Sequence, residues 1–471
     1  MNNRTPLAGV SAGPSVREIT ATLRSGSTSA VAVMETTLDR IRKVDSSLTA
    51  FTEIYPEEAL EAAARVDRTI ASGEQPGALA GVPVAVKDLS PLDGKRTTMG
   101  SLVYRDHVGS FDPIYVQRLR QAGAIVVGKT NTPEFAHAGF CSNRVFGTTR
   151  NPWNREYTPG GSSGGAGAAV AAGLVPFAEG SDMGGSIRIP AAYCGVVGLK
   201  PSLGRIPMDI LPSAFDTISH FGPLAGSVED VWHFLAATMG PDEVDPFSLP
   251  VQPISFDAAG DVAGLRIALS RDLGFYAVDD DVTANLESVA AIFRERGASV
   301  DPVRLAWDHD VFEATNDNWA VFLAAFHGHL LDTHHDLLDP ESVDLMEQGR
   351  AMDAVSYKRI ELIRTRLWRD LTSLFTHYDA LLCPTVPCTP PLASSTDREF
   401  GYRDSQGRTV AAEMTAPFNL VPHSPALSVP SGFGVNGLPT AVQIVGRRFD
   451  EATVLRIGRA IELMDRMNAR A

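Results

Sequence analysis

Cysteine and positive charge are both scarce in this chain of 471 residues. The four cysteines lie far apart except for Cys383 and Cys388, so we predict reduced thiols in a cytoplasmic protein rather than a disulfide framework. The net charge of −15 lacks the basic excess that nucleic acid or an anionic membrane would require. We therefore expect neither of these partners.

Long apolar runs are also missing. The most apolar long stretch, residues 166–178, is short and is interrupted by glycine and proline, so it should not cross a bilayer. Residues 1–13 are polar and small, without the apolar segment of a secretory signal. With 44% hydrophobic and 21% charged residues, the composition is that of a globular protein with a large core. We expect a monomer or homodimer that binds a small molecule.

Helical and strand patterns alternate along the chain. Apolar residues recur at helical spacing in residues 29–44, 56–70 and 282–293, whereas the valine-rich run 82–86 is typical of a buried strand. This alternation predicts an α/β fold, and we interpret the Pro- and Gly-rich residues 241–264 as a loop within one large domain. The domain is divided into N-terminal helices (1–75), a core (76–235), a variable, mostly helical segment (236–375), and C-terminal core strands with a helix (376–471). Within the variable segment, we expect residues 303–350 to be helical and peripheral.

Glycine is concentrated in two clusters, residues 160–165 and 184–186. Dense glycine permits main-chain conformations closed to other residues, and consecutive N–H groups can then surround a phosphate or a developing oxyanion. A phosphate-binding loop would also need Gly-Lys directly after the cluster, and neither cluster has it.

Two other interpretations of the first cluster stay open. Residues 160–164 match the G-x-S-x-G motif of α/β-hydrolases, but the polar, proline-ended residues 154–159 do not predict the strand which that motif needs. His220, His233 or His423 could still supply a downstream partner. A structural glycine turn is the second interpretation, and it explains one cluster better than two.

The whole segment 160–191 resembles the amidase signature, and it includes Asp182, Ser186 and Arg188 at fixed positions. The resemblance covers about residues 15–465 and is weakest over 240–375. It implies a single large domain with a mixed central β-sheet flanked by helices, and a hydrolase that cleaves C–N bonds. Further matches are Gly81–Asp88, Lys129–Asn131, Asn151–Trp153, Gly195–Pro201, Ser428–Gly432 and Gln443.

The resemblance also implies a Ser–Ser–Lys triad. Ser186 would be the nucleophile that forms an acyl-enzyme, Lys87 the base, and Ser162 the bridge between them after a cis Gly161–Ser162 peptide bond. A base is needed because a free serine hydroxyl is a weak nucleophile, and burial would lower the pKa of a lysine towards that role. Taken alone, Lys87 would be better explained as the partner of Asp88 in an ion pair or as a surface lysine; the full signature favours the catalytic role.

Main-chain groups near Ser186 complete the implied site, which needs no metal or other cofactor. The implied oxyanion hole consists of the N–H groups of Met183, Gly184, Gly185 and Ser186. The residues expected to hold this loop in place are Asp182, Arg188 and Ser163.

A local histidine cluster lies outside these motifs, in residues 327–335. We expect its segment to be helical and exposed, and its spacing lacks the ligand pattern of a closed zinc site. The histidines are His327, His329, His334 and His335.

The substrate pocket is expected around the signature loop. Ile189 stands where the glutaminase subunits of glutamyl-tRNA(Gln) amidotransferases usually carry glutamine, and an apolar residue there favours an uncharged or aromatic acyl group. We therefore expect a stand-alone amidase for a small apolar or aryl amide, with esters and carbamates (urethanes) as further candidate substrates. The alternative is the glutaminase subunit of an amidotransferase complex, whereas the intact triad argues against a non-catalytic subunit. The expected pocket residues are Ala136, Gly139, Phe140, Cys141, Ile189, Met208 and Ile210.

Overall fold

A computed structural model describes residues 13–411 and 413–468 of the chain, the last four as main chain only. The first twelve residues, which belong to the polar segment discussed above, lie outside this description. Strands and helices alternate over the described residues, as the sequence predicts. The strands are β1 (Phe51–Ile54), β2 (Pro83–Lys87), β3 (Ile125–Thr130), β4 (Ser142–Asn143), β5 (Gly147–Thr148), β6 (Phe177–Asp182), β7 (Val197–Lys200), β8 (His220–Ala225), β9 (Arg266–Leu269), β10 (Ser299–Pro302), β11 (Ala380–Pro384), β12 (Ala426–Phe433) and β13 (Pro439–Gly446).

The helices flank these strands along the whole chain. The α-helices are α1 (Val16–Arg24), α2 (Ala30–Val44), α3 (Pro56–Ala71), α4 (Ile114–Gln121), α5 (Gly164–Ala171), α6 (Arg188–Cys194), α7 (Val228–Thr238), α8 (Asp280–Glu295), α9 (Asp310–His327), α10 (Leu330–Thr333), α11 (Pro340–Ala351), α12 (Ala354–Leu374), α13 (Asp397–Phe400), α14 (Pro417–Leu420) and α15 (Glu451–Asn468). The N-terminal capping box of α1, in which Ser15 and Glu18 bond reciprocally, agrees with the sequence signal.

The centre of the domain is an 11-stranded sheet in the order β1-β3-β2-β6-β8-β7-β12-β13-β11-β9-β10. Parallel pairs such as β2–β6 occur beside antiparallel pairs such as β6–β8, so the sheet is mixed. Every residue of β2 is buried, which explains why that strand is a continuous apolar run before its terminal lysine. The single domain and mixed sheet implied by the resemblance are confirmed.

The variable segment, residues 236–375, adds strands to the sheet, and its residues 303–350, which were expected to be peripheral, include helix α9 at the wall of the cavity described below. Most of the segment is helical, but β9 and β10 are parallel to each other, and β9 pairs with β11, which extends the central sheet. The segment therefore contributes both to the sheet and to the wall of the site.

All four cysteines are free and buried. Within residues 13–411 and 413–468, the helices are too short or too polar to cross a membrane.

Candidate active site

Lys87 and the loop that carries Ser186 meet at one edge of the sheet because β2 and β6 are parallel neighbours. Lys87 is the last residue of β2, and the loop 183–187 follows the last residue of β6. Ser162 precedes α5, whose residues are all buried beside β6. The topology thus brings three segments that are distant in sequence to one point.

The Lys87 side chain is buried and has hydroxyl partners. Its Nζ lies 2.6 Å from Ser162 Oγ and 3.0 Å from Ser181 Oγ. The Gly161–Ser162 peptide bond is cis. Burial lowers the pKa of Lys87 to about 8, against the opposing charge of nearby Glu179. A lysine in this setting is able to exchange a proton with Ser162 near neutral pH.

Glu179 is a buried carboxyl that sequence reasoning missed. Its Oε2 accepts a hydrogen bond of 2.9 Å from the main-chain N–H of Lys87, across the β2–β6 pair. Burial raises the pKa of Glu179 to about 7, although the Lys87 N–H and charge oppose that rise. A charged residue inside the apolar part of β6 is the sequence signal that could have identified it.

Close contacts with Thr415 fix the loop that contains Gly184 and Gly185. Gly185 has a φ of +135°, and a Cβ added there would lie 1.9 Å from Thr415 Oγ1. The same hydroxyl donates a 2.7 Å hydrogen bond to the carbonyl of Gly184. A side chain at Gly185 would therefore displace the loop.

Arg188 and Asp182 form a fully buried ion pair beneath this loop. Arg188 Nε and Nη2 donate to the two Asp182 oxygens over 2.9 and 2.8 Å. Burial alone would raise the pKa of Asp182, but the charge and hydrogen bonds of Arg188 hold it well below its usual range. Arg188 also donates to the Thr415 carbonyl, Asn419 Oδ1 and Gln443 Oε1, which links the loop to the C-terminal part of the domain.

Ser163 joins the two glycine-rich segments. Its main-chain N–H donates to the Ser186 carbonyl over 3.1 Å, and its hydroxyl lies 3.4 Å from the Ser181 carbonyl. Ser163 therefore links the segment around Ser162 to the loop that carries Ser186.

Two neighbouring cavities both have Ser186 in their walls, and we name them the aromatic lobe and the polar lobe. They enclose about 290 and about 210 Å³, and both contact Ala136, Met183, Ser186 and Trp319. The rest of the aromatic lobe is lined by Leu89, Met99, Tyr104, Phe135, Ser162, Ser181, Asp182, Met208, Ile210, Leu211, Pro212, Ser219, Phe221, Phe322, Phe326 and His327. The rest of the polar lobe is lined by His137, Ala138, Gly184, Ile218, Tyr276, Val311, Phe312, Thr315, Asn316, Asp397, Thr409, Val410, Ala411, Glu413, Ala416 and Pro417.

Some of the pocket residues expected from the sequence line the two lobes, and others do not. Ala136, Met208 and Ile210 line the aromatic lobe. By contrast, Ile189 packs against Ala192, Tyr193, Val386 and Ala441 in the interior, so its apolar character carries no argument about the acyl group. Gly139, Phe140 and Cys141 line neither lobe; they contact Asp397, Phe400 and Thr149, respectively.

Helix α9 supplies wall residues that the sequence analysis did not anticipate. Trp319 stacks on Phe322 with ring centroids 5.3 Å apart, and Phe322 meets Phe326 edge-on at 4.7 Å. These aromatic residues recur at helical spacing, which was the available signal, but spacing alone does not tell what a helix face covers.

The histidine cluster is also placed differently from our expectation. His327 is half-buried in the aromatic lobe and stacks on Phe135 at 4.2 Å, and burial lowers its pKa to about 4. His329, His334 and His335 are exposed. Over the described ranges, no group of three or more His, Cys, Asp or Glu side chains is arranged to hold a metal ion.

Comparison with known proteins agrees with this architecture. A family model described as amidase matches residues 32–455. The chain is 36% identical to an acylamidase from Rhodococcus erythropolis, over 94% of this chain and 93% of that protein. It is also 36% identical to the A subunit of the glutamyl-tRNA(Gln) amidotransferase from Geobacillus kaustophilus (strain HTA426), over 95% of this chain and 96% of the relative.

The fold is shared with a solved structure of similar length. The crystal structure of a bacterial aryl acylamidase of the amidase signature family matches with a TM-score of 0.91 and 30% sequence identity, over 97% of each chain. Fold, family model and relatives therefore agree that this chain belongs to the amidase signature family and is an amidase that acts on carbon–nitrogen bonds.

Proposed function

We propose that the protein hydrolyses small apolar or aryl amides through an acyl-enzyme on Ser186, with Ser162 and Lys87 as the proton relay. The observation that carries this proposal is the 2.6 Å separation of the buried Lys87 Nζ from Ser162 Oγ. Ser162 and Ser186 also line the same lobe of the cavity, so a substrate carbonyl bound there has access to both hydroxyls.

The first step forms the bond between Ser186 Oγ and the substrate carbonyl carbon. Neutral Lys87 takes the Ser162 proton while Ser162 takes the proton of Ser186, so the attacking oxygen gains the electron pair that it needs. The negative charge develops on the carbonyl oxygen, which the N–H groups of Met183, Gly184, Gly185 and Ser186 would receive. One such donor is typically worth about 2.7–4 kcal/mol of transition-state stabilisation.

The second step breaks the C–N bond. The proton held by Lys87 returns through Ser162 to the nitrogen, and the neutral amine leaves while Ser186 remains acylated. Water then attacks the carbonyl carbon of the acyl-enzyme with the same proton transfers, which releases the carboxylic acid and regenerates the Ser186 hydroxyl. Esters and carbamates present the same carbonyl to the same groups, so they are candidate substrates of this mechanism.

A glutaminase subunit is the second candidate, since the amidotransferase relative is as similar as the acylamidase. Glutamine would bring an α-carboxylate into the cavity, and a carboxylate is best recognised by arginine or lysine. In the described part of the chain, neither residue type lines either lobe. The polar lobe instead holds Asp397 and Glu413, whose pKa values burial raises to about 7 and about 8. We therefore favour a stand-alone amidase, acting as a monomer or homodimer.

Replacement of the nucleophile tests this proposal. Ser186→Ala in the full chain should lower kcat on an anilide by roughly 10⁶-fold, as loss of a serine nucleophile does in other hydrolases. A fluorophosphonate probe should label Ser186 in the unaltered protein, as seen by peptide mass spectrometry. The matched control is Ser288→Ala, a change of an exposed serine on α8 that lines neither lobe, which should preserve both labelling and turnover. Turnover by Ser186→Ala near the wild-type rate would refute the mechanism, and activity that requires glutamine and added subunits would support the second candidate.

A further inference from the structure

The two lobes that have Ser186 in their walls differ in chemistry. The aromatic lobe is walled by aromatic and aliphatic side chains such as Phe135, Phe322 and Ile210. The polar lobe also has apolar lining residues such as Phe312 and Val410, but it adds hydroxyl, amide and carboxyl groups, including Asn316, Thr409 and Glu413. An amide bond bound at Ser186 must place its acyl half in one lobe and its amine half in the other. The question is which half occupies which lobe.

The position of Ser162 decides the orientation. In the proposed mechanism the leaving nitrogen receives its proton from Ser162, so the nitrogen must lie within hydrogen-bond reach of that hydroxyl. Ser162 lines the aromatic lobe and is absent from the wall of the polar lobe. The amine half therefore points into the aromatic lobe, while the acyl half extends past Gly184 into the polar lobe.

The aromatic lobe is large enough for a ring. Its volume is about 290 Å³, whereas a cavity of about 150 Å³ is known to hold benzene in another protein. The stacked Trp319 and Phe322 rings offer a face or an edge to such a ring. The lobe thus suits an aromatic amine in both size and chemistry.

Helix α9 marks the boundary between the lobes. Phe312 lines the polar lobe, Phe322 lines the aromatic lobe, and Trp319 between them contacts both. The Trp319 Nε1–H donates a 2.7 Å hydrogen bond to His137 Nδ1, which orients the indole. Burial lowers the pKa of His137 to about 4, so its ring stays a neutral acceptor at neutral pH.

We propose that the side chains of α9 determine the orientation of the bound substrate. An aromatic amine then occupies the aromatic lobe, and a small, hydrogen-bonding acyl group occupies the polar lobe. The enzyme is then selective for anilides of small acids over amides of aromatic acids, and Phe322 is a specificity-determining residue for the amine. This inference rests on the proposed function, because it uses Ser162 as the proton donor to the leaving nitrogen.

A pair of phenylalanine variants on the same helix tests the orientation. The full-length protein and its Phe322→Ala and Phe312→Ala variants are assayed for kcat/KM on acetanilide, acetamide and benzamide. Acetanilide and acetamide share the acyl group and differ only in the amine. Phe322→Ala should lower kcat/KM for acetanilide by about tenfold, because an apolar contact with the ring is lost, and should leave acetamide within about twofold. Phe312→Ala should change kcat/KM for acetanilide and kcat/KM for acetamide by the same factor.

Each other outcome bears directly on the proposal. Unchanged acetamide turnover by Phe322→Ala shows that the variant is folded. Phe322→Leu, which keeps an apolar side chain, should recover part of the acetanilide activity. If Phe322→Ala lowers benzamide hydrolysis and spares acetanilide, the two halves bind in the reverse orientation and the inference is overturned. Equal losses on all three substrates overturn it as well.

The same assay separates this inference from the proposed function. If Ser186→Ala still hydrolyses acetanilide, the acyl-enzyme mechanism fails whatever the Phe322 variant does. If Ser186→Ala is inactive but Phe322→Ala does not discriminate between the amines, the mechanism stands and only the orientation fails.

Discussion

The signature segment, residues 160–191, and helix α9 meet at the same cavity but are built in opposite ways. The signature segment places main-chain groups and buried polar side chains, and it leaves little room for change: a Cβ at Gly161 would lie 2.3 Å from the Ala138 carbonyl oxygen. Helix α9 contributes half-buried side chains, such as Phe322, on an ordinary helix. Under the proposed function, we expect the chemistry to depend on backbone shape in the signature segment and substrate selectivity to depend on the exchangeable side chains of α9.

This contrast predicts large, non-selective effects from changes in the first region and smaller, substrate-dependent effects from changes in the second. The Phe322 and Phe312 variants proposed above address α9. The three predictions that follow address the signature region and its surroundings, in order of decreasing expected effect.

Removal of the buried amine should affect amides most. Lys87→Ala should lower kcat/KM on an anilide by roughly 10²–10⁴-fold, the usual contribution of a general acid–base group. The loss should be much smaller on a p-nitrophenyl ester of the same acid, because its leaving group departs without a proton. Steady-state rates on the two substrates give the comparison directly. Equal losses on both would exclude Lys87 as the source of the leaving-group proton.

The contrast extends to ion pairs: the signature segment contains a two-bond arginine–aspartate pair, and a similar pair joins Asp310 of α9 to Arg366 of α12. Arg188 and Asp182 are fully buried, whereas Arg366 and Asp310, at the start of α9, are exposed by 41% and 38%. Arg188→Met would leave Asp182 as an uncompensated buried charge, which typically costs about 3–5 kcal/mol of unfolding free energy. Arg366→Met should cost about 1 kcal/mol or less, as for other exposed pairs.

Urea denaturation of the unaltered chain and both variants would measure this difference. Similar losses for the two variants would contradict the view that the signature segment, rather than α9, is held by buried polar contacts.

The two regions were also predictable to different degrees. Lys87, Ser162 and Ser186 could be proposed because their motifs are dense and local, and strand β2 was visible as a short apolar run. Ala136, Met208 and Ile210 were expected in the cavity wall and do line it. Trp319 and Phe322 of α9 were not expected, because α9 reaches the cavity only through long-range packing. Ile189 shows the same limit: its position in the motif suggested a pocket residue, yet its side chain packs away from both lobes.

Glu179 was missed for a different reason. It lies in the signature segment, but no catalytic motif refers to it, and its partner is a main-chain N–H on a strand far away in sequence. A carboxyl flanked by Phe177, Ala178 and Gly180 in a buried strand is a departure from apolar patterning. A buried carboxyl needs a hydrogen-bond or charged partner, but the sequence does not identify which group that partner is.

The same carboxyl gives the smallest of the expected effects, on the pH dependence of activity. Burial lowers the pKa of Lys87 to about 8, and it is opposed by the negative charges of Glu179 and Asp182, which favour the ammonium form. Since the mechanism needs the neutral amine, kcat/KM should rise with pH through this pKa. Glu179→Gln removes one negative charge and should move that rise to lower pH by about one unit.

The matched control for this measurement is Phe312→Ala, which changes the cavity wall and no charge, so its pH profile should keep the wild-type midpoint. A shift of the Glu179→Gln profile to higher pH would contradict the idea that the Glu179 carboxyl stabilises the ammonium form of Lys87. An unchanged midpoint would mean that Glu179 serves only to anchor the end of β2. A downward shift confined to Glu179→Gln would instead show that the signature region sets the ionisation of its base, while α9 leaves it untouched.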